Sequence, residues 1–79
     1  MEYLLAFGSA HKALKAESLL KEAVIDLKLL PAPKVLSDYC DLVIVIKGDD
    51  LDWALKKLKD ADVLPSMVYK KEAKGYVKV

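Results

Sequence analysis

Seventy-nine residues, 54% of them hydrophobic, suffice for one small domain but leave burial alone a marginal source of stability. Thirteen lysines stand against twelve acids, intermixed for a net charge of +1, which argues against a nucleic-acid partner. With one cysteine and one histidine, neither an internal disulfide nor a structural metal site is available, so a homodimer is the expected remedy.

Every basic residue apart from His11 is lysine, and Arg, Asn, Gln and Thr are absent. Lysine enrichment with few heat-labile amides fits a thermophilic source. The missing arginine has a chemical consequence, because no side chain offers the bidentate fork that grips phosphate or carboxylate. An acylphosphatase-type enzyme is therefore disfavoured, and a copper chaperone lacks its second cysteine. No cofactor is expected.

The opening stretch MEYLLAFGSAHKAL has an acid at position 2 and a short apolar run from Tyr3 to Phe7, unlike a signal peptide. No stretch approaches the ~18 apolar residues of a membrane span. The expectation is a cytoplasmic protein with no membrane partner.

Residues 2–7, EYLLAF, read as a strand closed by Gly8-Ser9. From Ala10 to about Val24 the apolar spacing changes to that of a helix, with Ala10, Ala13, Ala16, Leu20 and Ala23 on one side. Ser9 is the predicted N-cap, and the small alanines let this helix sit close to a sheet. Residues 25–31, IDLKLLP, alternate as a half-buried strand does. Pro31 and Pro33 predict an extended loop, and residues 41–47, DLVIVIK, form the most strand-like segment of the chain. Asp49 or Asp50 can cap a second helix with Leu51, Ala54, Leu55, Leu58 and Ala61 on its apolar stripe. Pro65 opens the last main strand. EAKG then predicts a turn ending in a left-handed Gly75, with 73–79 a short return strand or a frayed tail.

The order βαββαβ predicts an α+β, ferredoxin-like sandwich over residues 1–79, with a four-stranded antiparallel sheet and both helices on one face. Right-handed crossovers are read as making the first and third strands parallel central neighbours. In those strands Leu42, Ile44 and Ile46 oppose Val43 and Val45, and Tyr3, Leu5 and Phe7 oppose Leu4 and Ala6. Both are apolar on both faces, while helices cover one. An exposed second face bearing Val43 and Val45 therefore predicts a dimer or partner surface.

Four features carry candidate chemistry. His11 lies in the first turn of helix 1, where the helix dipole disfavours its charged form. Asp49 and Asp50 read as caps, without the further oxygen ligands a metal needs. Trp53 lies about 140° from the apolar stripe of its helix, counting 100° per residue, and is a candidate anchor for a partner. Cys40 sits at the entrance of the third strand, after a Pro-rich loop that favours access. Asp38 and Asp41 disfavour its thiolate, and Lys34 is the nearest positive charge in the loop. With parallel strands, His11 and Cys40 would stand on the order of 20 Å apart, too far for a catalytic dyad.

YLLAFGSAHKALKAESLLKEA, followed by LLPAPKVLSDYC, resembles a family of small prokaryotic proteins described as selenium/sulfur carrier-like. The resemblance covers about residues 2–70, and its most specific parts are FGSAHKALKAE and the loop from Pro33 to Cys40. His11, Pro33 and Cys40 match the family pattern. Lys34 stands where Arg is common, Asp38-Tyr39 replaces part of a serine run, and Asp41 follows the cysteine where Gly is usual.

The resemblance implies a non-enzymatic carrier whose Cys40 holds sulfur or selenium as a persulfide or selenenyl sulfide, supported by His11, Pro33 and Lys34. A cysteine desulfurase or another sulfur- or selenium-transfer protein would be its partner. The alternative is a non-catalytic interaction or regulatory module, binding a protein or small ligand through Trp53, Val43 and Val45.

Overall fold

Alternating and apolar runs form strands where the sequence places them. In a computed structural model that describes residues 1–38 and 41–79, β1 spans Glu2–Ala6, β2 Leu27–Pro31, β3 Leu42–Lys47 and β4 Met67–Glu72. Between β1 and β2 lies α1, Ala10–Glu22, which buries Ala13, Ala16 and Leu20. The Ser9 hydroxyl accepts from the Lys12 N–H at 3.2 Å, as an N-cap does. After β3 a single 3-10 turn, Gly48–Asp50, leads into α2, Leu51–Asp60, with Ala54 and Leu58 buried. Asp50 occupies the N-cap position of α2, but its side chain makes no capping hydrogen bond.

The two helices end alike. The Ile25 N–H donates to the Leu20 carbonyl and Val24 to Lys21, both at 3.0 Å. In α2, Val63 donates to Leu58 at 2.9 Å and Asp62 to Lys59 at 3.0 Å. This pair of bonds defines a Schellman motif, which needs a left-handed residue after the cap. Val24 (φ 58°) and Asp62 (φ 57°) fill that position. Aspartate tolerates the conformation, whereas a β-branched valine there is a genuine outlier.

With Gly75–Lys78 as β5, the sheet order is β2-β3-β1-β4-β5, and every neighbouring pair is antiparallel. Two expectations are corrected. The sheet has five strands rather than four, because residues after Glu72 turn back as β5, Gly75–Lys78. Gly75, at φ 139°, takes a backbone angle that side-chain-bearing residues rarely adopt. The central pair is antiparallel rather than parallel, with Leu5 opposite Ile44. The α1 crossover returns β2 in the direction of β1. The connection from Pro31 to Leu42 then reverses the chain, so β3 runs against both.

The predicted alternation of faces holds. Leu5, Phe7, Ile44 and Ile46 join Ala13, Ala16, Leu20, Ala54 and Leu58 in the core beneath the helices. Leu4, Ala6 and Val43 point to the other face, and here the expected exposure is corrected. They are buried with Leu36 and Tyr69, and Ala32, Val45, Met67 and Tyr76 pack around them. Instead of an extended loop, Lys34–Leu36 forms a 3-10 turn that brings Leu36 down onto this face. No helix among the described residues is long and apolar enough to cross a membrane.

Candidate functional site

Antiparallel pairing of β1 with both its neighbours gathers several segments at one end of the sheet. Ala6, the last residue of β1, lies opposite Val43 on one side and Met67 on the other. Gly8, Ser9 and the first turn of α1 leave from this end. Asp41 enters β3 here, and Ser66 enters β4. The Ser66 N–H and hydroxyl both donate to the Ala6 carbonyl, at 2.8 and 3.1 Å, and lock that corner.

Cys40 and Tyr39 lie outside the described residues. The Ala32 N–H donates to the Asp41 carbonyl at 2.9 Å, closing the base of the connection between β2 and β3. Within it, the Leu36 N–H donates to the Pro33 carbonyl at 2.8 Å. The Ser37 hydroxyl donates to the Lys34 carbonyl at 2.9 Å. Buried Leu36 pins the segment to the sheet, Pro33 is half-buried, and Lys34, Ser37, Asp38 and Asp41 are exposed.

His11 is exposed in the first turn of α1, at the same end of the sheet as the β3 entrance. The separation of about 20 Å, reckoned at ~3.3 Å per residue along parallel strands, therefore loses its basis. The α1 N-terminus carries no acid in its first turn, so its partial positive charge is not offset by its own side chains. At the start of α2, by contrast, Asp49, Asp50 and Asp52 cluster beyond the far end of β3.

The remaining predicted residues are dispersed. Val43 is sealed within the chain, and Val45 beside it is half-buried, so less of this face is open to a partner than the sequence suggests. Trp53 is 47% exposed on α2, which packs on the other face, and the Lys56 and Lys57 ammonium groups stand 6.0 and 5.5 Å from its ring centroid. Those cations cover part of the ring face. Among the described residues, no three of His, Cys, Asp and Glu come together as metal ligands.

Sequence reasoning missed Ser66, whose role depends on which strand lies beside β1. It also missed a cleft of about 140 Å³ on the face away from the helices, with Lys28, Lys71 and Tyr76 among its lining. Those three come from strands β2, β4 and β5, and only their alternation, once the strand order is known, places them together.

Fold and site together define a small two-helix α/β domain whose single cysteine leads into a central strand. The chain belongs to the family described as "Putative Se/S carrier protein-like", whose model matches residues 2–70 and so includes Cys40. No curated protein and no solved structure matches it.

Proposed function

We propose that the protein is a sulfur or selenium carrier that holds a persulfide or selenenyl sulfide on Cys40 and has no catalytic turnover of its own. The observation that carries this reading is the family match across residues 2–70, which spans the cysteine and the loop before it. The topology adds support, since the β3 entrance shares an end of the sheet with His11 and the unshielded N-terminus of α1.

Loading proceeds by thiol exchange. The Cys40 thiolate attacks the terminal sulfur of a cysteine desulfurase persulfide. A new S–S bond forms on Cys40, the donor's S–S bond breaks, and the donor cysteine leaves as its thiolate. The terminal sulfur keeps its proton, so no external oxidant is needed.

The strand order, with two interleaved βαβ crossovers, supports a ferredoxin-like assignment to which β5 is added. A cytoplasmic location accords with a persulfide-bearing single thiol. A second reading, an interaction module in which Cys40 is inert, draws on the exposed Trp53.

Incubation with a cysteine desulfurase and cysteine separates the two readings. A carrier gains one sulfur mass, reversed by dithiothreitol and absent from Cys40→Ser. An unmodified chain, with Cys40 alkylated no faster than free cysteine, would overturn the carrier. Gel filtration with light scattering tests the homodimer expected of so small a core.

A further inference from the structure

On the face away from the helices lies a groove of about 140 Å³. Leu30, Pro33, Val45 and Tyr76 are among its apolar lining, and Glu2, Lys28 and Lys71 among its charged lining. An apolar cavity of about 150 Å³ accepts a benzene molecule, so this groove matches one apolar side chain the size of Leu or Phe.

Its surroundings are basic. Strand alternation puts Lys28, Lys47, Lys71 and Lys78 on this face, against Glu2 and Asp26. Lys71 pairs with Glu2 at 3.6 Å and Lys47 with Asp26 at 3.8 Å, all through solvent-accessible side chains. Lys28 and Lys78 have no carboxylate partner among the described residues. A nearly neutral chain thus sets four lysines against two carboxylates on this face, with Lys28 the unpaired cation of the groove lining among the described residues.

The geometry points to a docking site for an acidic peptide segment of a partner protein. One apolar side chain sits against Val45 and Tyr76, with one flanking carboxylate reaching Lys28 and another replacing Glu2 at Lys71. A second copy of this chain fits poorly, because its own open face carries the same excess of lysine. Its exposed Trp53 brings Lys56 and Lys57 with it, and like charges across an interface are costly. The Pro33 wall continues directly into the segment that leads to Cys40. If Cys40 carries sulfur, the docked segment belongs to a transfer partner; that assignment rests on the carrier reading, whereas docking does not.

The test uses ¹⁵N-labelled Cys40→Ser protein titrated with the synthetic peptide acetyl-Asp-Glu-Leu-Glu-Asp-amide. Saturable shifts are expected at the Leu30, Val45 and Tyr76 amides, weakening as salt rises. Lys28→Glu combined with Lys71→Glu should lower the affinity tenfold or more, and both positions are exposed, so the fold should persist. A control peptide with lysine in place of each acid should give no shifts. Absence of saturable shifts, shifts centred on Trp53, equal binding of both peptides, or shifts of the Leu30, Val45 and Tyr76 amides that grow with protein concentration in the absence of peptide would each overturn the proposal. Because Cys40→Ser cannot be loaded, this outcome is independent of sulfur transfer to the unaltered chain.

Discussion

Leu4 and Leu5 are neighbours on β1, yet different parts of the chain shut them away from water. Leu5 lies under two regular helices, in a core drawn from β1, β3, α1 and α2. Leu4 is covered by Leu36 from an aperiodic turn and by Tyr69 from β4, with Tyr76 of β5 alongside. The helix side is extensive and legible in apolar spacing. The open side is sealed by a few side chains and retains a groove. One face of the sheet therefore maintains the fold, while the other has room to bind.

The largest effect should come from the helix side. Leu20→Ala removes a fully buried side chain between α1 and the sheet, and should cost about 3 kcal/mol in urea unfolding. A loss below ~1 kcal/mol would show that this layer is not the main core. Leu36→Ala should cost less, about 2 kcal/mol, because its short segment can settle onto the sheet and close part of the cavity. Equal losses would erase the distinction between the faces. Loss of Leu36 should also release the connection that carries Cys40, which faster alkylation of the thiol would report.

Val24→Gly should act in the opposite direction. Val24 is 90% exposed with φ 58°, so removing its side chain sacrifices little packing and relieves the left-handed strain. A gain of about 1 kcal/mol is expected after the entropy cost of glycine. Thermal unfolding at a raised Tm would show it, and an unchanged or lower Tm would mean that valine is not strained there. The smallest effect belongs to the open-face ion pair. Lys71→Met should alter stability by less than ~0.5 kcal/mol, since both partners are solvent-accessible. A larger change in urea unfolding would show this face to contribute more to the fold than the comparison implies.

Much of this architecture was legible in the sequence, for identifiable reasons. The alanine-and-leucine stripe of α1 with Ala13, Ala16 and Leu20 buried, the alternation in β3, the Ser9 cap and the turn at Gly75 are local patterns, and each appears where predicted. Strand direction is not local. It follows from counting reversals through α1 and the Pro31–Leu42 connection, and the parallel reading omitted the second reversal. Leu36 gave no periodic signal because it lies between prolines and polar residues, so the closure of the open face was invisible. Valine at a Schellman position is likewise unreadable, since glycine is the residue that normally marks it. At the candidate site the sequence singled out His11, Pro33, Lys34 and Cys40, but the gathering of the His11 turn with the β3 entrance required the strand order.

That order also constrains when the protein can fold. β1 is made first and lies between β3 and β4, with Leu5 beside both Ile44 and Val68. A nascent chain therefore carries an apolar segment with neither of its neighbours until most of the sequence has left the ribosome. β2 and β3, joined by a shorter connection, can pair earlier and present Ile44 as a template for β1. A chain stopped before Met67 would leave β1 as an open apolar edge. Synthesis through β4 thus separates a foldable product from an aggregation-prone one.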